Sequence, residues 1–383
     1  MSYYLLPKTN NNICNYLNCL IVPNKPVPSI SYSLSNYLFD LKVKIEKNEK
    51  NWNNHKKYTN PYEYIHTIIP NKKTSVSKII PLSRSFFKMI EIIDTFKLMS
   101  DYKESINSFH LAEGPGGFIE AFVTKRNNPN DTYVGMTLLN DKHDINIPAW
   151  KKSKTFLHQN SNVYIESGSD NTGNILSIDN LNHCKNKYKK KFDFITGDGG
   201  FDFSLDFNNQ EINITQLLFA QIAFALNLQK RNGTFILKLF DCFISHTIDI
   251  LYILSSCYSK VYITKPHTSR QANSEKYIVC KNFIGINSDI ERLLNDCFKQ
   301  VIDLPSDKYV HRFLNIPIPN FFQSKLQEFN AILGQQQIEN IHYTITLIHN
   351  KYKQDKLDTI LKNNLQKCIS WCVKHNIQYH EYI

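Results

Sequence analysis

The residues with the clearest potential for chemistry lie in a glycine-rich turn. An apolar segment at 107–111 predicts a strand, Gly114-Pro115-Gly116-Gly117 follows, and a helix is predicted directly after it. Glycines let the backbone approach a ligand because no Cβ intervenes. A helix N-terminus adds unpaired N–H groups and a positive dipole end. The turn therefore predicts a cofactor site, although an ordinary strand–turn–helix corner has the same pattern.

Two charged residues mark other predicted strands. Lys238 interrupts the apolar strand at 234–240, and Asp198 follows the strand at 192–196, in a turn with three glycines. A buried lysine is costly unless it is paired, so Lys238 is a candidate for a functional role. The alternatives are an edge lysine whose ammonium reaches water and an ordinary turn aspartate.

A third charged residue, Lys88, lies among the apolar residues of a predicted amphipathic helix at 83–98. A lysine in that position usually extends along the apolar surface until its ammonium reaches water. The alternative is that Lys88 points into a site.

The predicted elements alternate between strands and helices. The strands are predicted at 107–111, 132–136, 162–165, 192–196, 234–240, 260–264 and 274–280, with helices at 83–98, 117–125, 211–230 and 244–257. This alternation indicates an α/β fold with a Rossmann-like, doubly wound and mostly parallel sheet, in which ligands bind at the carboxyl ends of the strands. The last two strands lack an intervening helix and predict an antiparallel pair at the sheet edge.

The composition narrows the class of protein. The chain has 383 residues, a net charge of +11 and a pI of about 9.0, which favours a polyanionic partner such as nucleic acid or reflects a lysine-rich solvated surface. We expect no membrane span and no signal peptide. Nine cysteines without a CxxC pair argue against a disulfide framework or a zinc site and favour an intracellular protein.

Seven segments together resemble the FtsJ/RrmJ-type methyltransferases, and within them the mRNA cap ribose 2′-O-methyltransferases of eukaryotes and large DNA viruses. They occur in the family's order, over roughly 57–282, and are NPYE at 60–63, SRSFFK at 83–88, LAEGPGGF at 111–118, GMTL at 135–138, GDGGF at 197–201, ILKLFD at 236–241 and KPHTSRQANSE at 265–275. We expect a Rossmann-like methyltransferase domain at 57–285, between an N-terminal extension at 1–56 and a helical C-terminal region at 286–383, neither of which the resemblance covers. The tail at 368–375 is expected to pack back on the body.

The resemblance implies a catalytic set of two lysines and two carboxylates, which fall on Lys88, Asp198, Lys238 and Glu275. A ribose 2′-hydroxyl is a poor nucleophile and must lose its proton as the methyl group arrives. A positioned lysine can accept or polarise that proton, and carboxylates can orient the ammonium groups. Lys238 is the predicted base, and Lys88 and Glu275 are predicted to tune it.

The implied cofactor is S-adenosylmethionine, and the transfer needs no metal. The residues that match its binding positions are Glu113, Gly114, Pro115, Gly116, Gly117, Phe118, Met136, Asp170 and Asp198. Two positions depart from the wider family. His110 stands where many relatives carry aspartate, which puts one cofactor contact in question, and Gly114 replaces a usual alanine.

The implied substrate is capped mRNA, held by its 7-methylguanosine cap, with possible contacts from Arg84, Asn208, Ser269, Arg270 and Asn273 and stacking on Phe207. The expected reaction is methylation of the ribose 2′-hydroxyl of the first or second transcribed nucleotide. The alternatives are ribose methylation of rRNA or tRNA, and a catalytically inactive RNA-binding subunit of a capping complex. Further partners would be other capping or transcription proteins.

The abundance of Asn, Lys and Ile is typical of an AT-rich genome such as that of a virus or protist. We expect the protein to be cytoplasmic if it is viral and nuclear if it is cellular.

Overall fold

The computed structural model describes residues 2–100, 102–139, 147, 149–200, 208–350 and 354–381. Phe201 and Phe207 lie outside these ranges. The strands are β1 (Tyr3–Leu5), β2 (Leu17–Val22), β3 (Asn107–Leu111), β4 (Thr132–Met136), β5 (Val163–Ile165), β6 (Phe192–Gly197), β7 (Gln229–Leu239), β8 (Tyr258–Thr264), β9 (Lys276–Phe283) and β10 (Tyr309–Leu314). The helices are α1 (Tyr32–Lys47), α2 (Glu49–Thr59), α3 (Ser85–Thr95), α4 (Gly117–Arg126), α5 (Lys154–Gln159), α6 (Ile178–Tyr188), α7 (Gln210–Asn213), α8 (Thr215–Leu228), α9 (Ser245–Cys257), α10 (Ser288–Ile302), α11 (Asn320–His349) and α12 (Gln354–Lys374).

Eight strands form one sheet in the order β1-β8-β9-β7-β6-β3-β4-β5. The five strands from β7 to β5 pair in parallel, so the predicted Rossmann-like, mostly parallel sheet is confirmed. The predicted antiparallel pair of β8 and β9 also forms, and the edge strand on this side of the sheet is antiparallel. β9 lies between β7 and β8, and the short strand β1 pairs with the outer side of β8.

The sheet is covered on both faces, as the apolar strand sequences require. One buried cluster contains residues of α8, α9 and α10, such as Leu218, Leu251 and Phe298. The second contains residues of α3, α4 and α12, such as Phe87 and Trp371. With both faces of the sheet buried, the carboxyl ends of the parallel strands form the open edge on which a site can be built.

The two terminal segments are joined to the same body. β2 pairs with β10 in a separate two-stranded sheet, and α11 packs against α1 and α2. The tail packs back as expected, because Trp371 of α12 contacts Phe87 of α3 with their ring centroids 5.9 Å apart. The division of the chain after residues 56 and 285 stays a prediction. Within the described residues, no helix has both the length and the apolar character that a membrane span requires.

A buried ion pair ties the C-terminal region to α9. The carboxylate of Asp249 is fully buried and accepts hydrogen bonds from Arg312 Nε at 2.7 Å and from the backbone N–H of Phe313 at 2.8 Å. Asp249→Ala would leave these donors without their acceptor, and we expect a loss of about 3 kcal/mol in the free energy of unfolding.

Urea denaturation measures this loss. Glu328→Ala is the control, because Glu328 forms an exposed pair with Lys325, and such pairs contribute little to stability. Equal stability of the two variants would contradict the structural role of Asp249.

Candidate active site

Four side chains from four elements meet at the carboxyl edge of the sheet and form two ion pairs. Lys88 of α3 places Nζ 2.7 Å from each carboxylate oxygen of Glu275, which immediately precedes β9. Lys238 of β7 places Nζ 3.2 Å from Oδ1 of Asp198, which follows β6, and donates a hydrogen bond to the Asp198 backbone oxygen at 2.7 Å. The structure thus brings together all four residues of the predicted catalytic set.

Strand pairing sets this arrangement. β6 and β7 are parallel neighbours, so Asp198 and Lys238 lie at the same edge. Lys238 is paired in register with Tyr277 of β9, and the Tyr277 hydroxyl donates to Asp198 Oδ1 at 3.2 Å. Gly200 leaves room for Lys238, because a Cβ there would lie 3.0 Å from the lysine Nζ.

Burial and charge act in opposite directions on the Lys88–Glu275 pair. Burial lowers the pKa of Lys88, and the charge of Glu275 opposes this effect. Burial would raise the pKa of Glu275, but the charges of Lys88, Lys238 and Arg84 hold it well below its usual range. Glu275 is therefore ionised at neutral pH.

The glycine turn lies between β3 and α4, close to Asp198. Gly116 has a φ of 104°, which favours glycine. Glu113 is buried, and its Oε1 accepts a hydrogen bond from Ile119 N at 3.0 Å. Its Oε2 is buried without a hydrogen-bond partner among the described residues. Burial and the charge of Asp198 raise the pKa of Glu113 well above its usual range, and His110 Nδ1 lies 3.8 Å from its Oε1.

The other predicted cofactor residues differ in their surroundings. Gly117 and Phe118 begin α4 and pack into the body. Met136 is fully buried in the core, where Cys184 Sγ lies 3.9 Å from its sulfur. Asp170 is exposed, and its Oδ1 accepts hydrogen bonds from Thr172 N and Asn180 Nδ2, both at 3.0 Å.

His110, which departs from the family pattern, has an internal role. Its ring nitrogens are 2.8 Å from the hydroxyls of Thr196 and Ser108. Burial lowers its pKa to about 3, so His110 is neutral and satisfied within the sheet.

Trp150 was missed by the sequence reasoning. Its ring lies against the glycines, since a Cβ on Gly116 would come within 3.1 Å of it and one on Gly135 would overlap it. Its indole N–H is also buried without a partner among the described residues. A lone tryptophan outside a regular element carries no pattern that predicts this contact.

A cleft of about 550 Å³ opens beside Lys238 and Glu275. Three of the predicted RNA contacts line it, namely Arg84, Arg270 and Asn273. Asn208 instead lines a second cavity of about 280 Å³. Ser269 is buried and donates a hydrogen bond to Glu275 Oε1 at 2.6 Å, so its hydroxyl helps to hold this carboxylate in place.

The far wall of the cleft was not predicted. It comes from α1, α2 and α11 and includes Lys42, Trp52, Lys56 and Gln337. Burial, with the nearby charge of Arg270, lowers the pKa of Lys56 to about 8, so this lysine remains mostly charged at neutral pH. The polar sequence of α2 offered no periodic signal for this role.

The Glu63–Arg270 pair holds one side of the cleft. Arg270 Nε donates to Glu63 Oε2 at 2.9 Å and Nη2 donates to Oε1 at 2.5 Å. Burial alone would raise the pKa of Glu63, but the hydrogen bond and charge of Arg270 lower it from 4.5 to about 2. This lowered pKa means that the ionised Glu63 stabilises the folded state by roughly 3 kcal/mol. The contribution is present above pH 4.5 and is lost as the pH falls towards 2.

We expect the difference in unfolding free energy between wild type and Glu63→Gln to shrink between pH 6 and pH 3.5. Urea denaturation at the two pH values measures it, and Glu328→Gln is an exposed control. A difference that does not change with pH would mean that Glu63 acts without its charge.

The comparisons with known proteins identify the family of this sequence. The sequence model of the FtsJ-like methyltransferases matches residues 81–283. Relatives named cap-specific mRNA (nucleoside-2′-O-)-methyltransferase 2 are 29% identical in Drosophila melanogaster, over 61% of this chain and 35% of the relative, and 28% identical in Pongo abelii, over 84% and 42%. Cap-specific mRNA (nucleoside-2′-O-)-methyltransferase 1 of Bos taurus is 33% identical over 55% of this chain and 25% of the relative. The chain thus spans less than half of these relatives, but the matched family region covers more than half of the chain. The protein belongs to the FtsJ-like methyltransferase family.

Proposed function

We propose that this protein transfers a methyl group from S-adenosylmethionine to the ribose 2′-hydroxyl of the first or second transcribed nucleotide of capped mRNA. The observation that carries the proposal is the pair of lysine–carboxylate contacts at the carboxyl edge of the sheet, between the glycine turn and a basic cleft. The names of the cap-specific relatives support the substrate class.

The residues around the glycine turn fit the proposed cofactor. Glu113 Oε2 is a buried acceptor without a partner among the described residues, and it suits the ammonium of a methionine moiety. Gly116 and Gly117 let that moiety approach the backbone. When bound, S-adenosylmethionine supplies a methyl group on a sulfonium. Glu113 and the turn would hold it, and Trp150, which lies against Gly116, would shield it from water.

Lys238 is the proposed proton acceptor for the 2′-hydroxyl. The neutral amine form of Lys238 would take this proton and become the ammonium. Lys238 lines the cleft, whereas Lys88 is more deeply buried and is not among the residues that line it. Asp198 contacts Lys238 Nζ through its backbone oxygen and its Oδ1. These two contacts fix the direction in which Nζ faces the hydroxyl. Lys88 and Glu275 form the second ion pair beside it. General acid–base catalysis by a positioned side chain contributes about 10²–10⁴-fold to a rate.

The cleft suits a substrate with closely spaced phosphates. Arg84 and Lys56 line it, together with Lys42, which pairs with Asp241, and Arg270, which pairs with Glu63. Arginine and lysine both bind phosphate oxygens, and arginine does so with a fixed fork of donors. The 5′–5′ triphosphate of a cap would lie among these cations, with the first nucleotides near Lys238.

The test is transfer of labelled methyl to short RNAs that carry a 7-methylguanosine cap, an unmethylated cap or a 5′-triphosphate, followed by nuclease mapping. We expect label on the first or second ribose of capped RNA. Label at internal or uncapped sites would indicate an rRNA or tRNA type of methyltransferase. Binding of capped RNA without label would indicate an inactive RNA-binding subunit.

Lys238→Ala should reduce methyl transfer by at least about 100-fold and leave the Kd for S-adenosylmethionine within about twofold of wild type. Single-turnover rates and calorimetry measure the two effects. Lys260→Ala, which removes an exposed lysine of β8, is the matched control. Loss of cofactor binding in Lys238→Ala would mean that this lysine is structural.

A further inference from the structure

The segment between β8 and β9, residues 265–275, is attached to α3 by the buried carboxylate of Glu91, in addition to the Lys88–Glu275 pair. Glu91 lies one helical turn after Lys88 and is 1% exposed. Its carboxylate accepts hydrogen bonds from His267 N at 2.9 Å, Thr268 N at 3.2 Å and Thr268 Oγ1 at 3.2 Å. One face of α3 therefore contacts the segment at both ends, through Glu91 at its start and through Lys88 at its end.

The C-terminal region contributes to this contact. The indole Nε1 of Trp371 in α12 donates a hydrogen bond to Glu91 Oε2 at 3.3 Å. The ring of Trp371 is itself fixed between Phe87 and His375, with centroid distances of 5.9 and 4.4 Å. The carboxylate of Glu91 therefore joins three elements in the buried interior.

The segment transmits its position to the catalytic carboxylate. Ser269 Oγ donates to Glu275 Oε1 at 2.6 Å. Lys265 Nζ donates to the backbone oxygens of Asn273 at 2.6 Å and Glu275 at 2.8 Å. Ser269 directly follows Thr268, which is bound to Glu91. Movement of Thr268 away from Glu91 would therefore displace Ser269 and then Glu275.

We infer that Glu91 is a positioning residue for methyl transfer, which holds the segment 265–275 so that Glu275 meets Lys88. Trp371 assists it from the C-terminal helix. This inference rests on the proposed function, and Glu91 acts on the reacting groups only through the segment.

Glu91→Gln is the direct test, since the side chain keeps its size but its amide nitrogen cannot accept a hydrogen bond. We expect kcat to fall by about 10- to 100-fold, the range for a small misplacement of catalytic groups, while KM for S-adenosylmethionine stays within about twofold. Trp371→Phe removes one donor and keeps a ring, so kcat should fall roughly threefold. Glu328→Gln, at an exposed ion pair, is the control and should match wild type.

Amide hydrogen exchange gives a readout that is independent of activity. In Glu91→Gln we expect the amides of His267 and Thr268 to exchange faster while those of β3 and β6 stay protected. An unchanged kcat in an otherwise active protein, or a fall in kcat explained by the unfolded fraction alone, would overturn the role of Glu91. A wild-type protein that methylates no RNA would instead overturn the proposed function, and the exchange data would still show whether Glu91 holds the segment.

Discussion

The buried ion pair between Lys88 and Glu275 is the interaction on which the arrangement of the site depends. Removing both charges from water is expensive, and attraction compensates only where the geometry is good and the remaining hydrogen-bonding groups are satisfied. Glu275 meets this condition, because Lys88 contacts both of its oxygens and Ser269 donates to one of them. Burial also favours the pair over contacts with water, since the side chains of Lys88 and Glu275 are only 5% and 10% exposed.

Regions outside the family-matched residues also contact the segment that carries Glu275. Segment 265–275 must be held firmly, and its contacts come from distant parts of the chain. Arg270 pairs with Glu63, and Gln337 of α11 donates to the backbone oxygen of Ala272 at 3.1 Å. Both terminal regions thus support the cleft wall, to which α1 and α2 contribute the acids Glu46 and Glu49 as well as two lysines.

The sequence predicted some features of the sheet and of the site but not others. Asp198 and Lys238 could be singled out because a charge at or near the end of a buried strand is unusual, and parallel pairing then brings them to one edge. Glu275 required the family resemblance, since nothing local distinguishes it from an ordinary strand end. The pairing of β2 with β10 was not predictable, because the partners lie almost 300 residues apart and neither strand has a strong alternating pattern. Met136 and Ser269 were assigned by motif, and only the packing shows how deeply each is buried.

A crystal structure with S-adenosylhomocysteine and a capped dinucleotide would test the central claim most directly. The account predicts that the target 2′-oxygen lies about 2.6–3.2 Å from Lys238 Nζ, that the amino group of the cofactor product meets Glu113 Oε2, and that the cap lies in the basic cleft. A target ribose bound away from Lys238, with the Lys238–Asp198 contact unchanged, would contradict it.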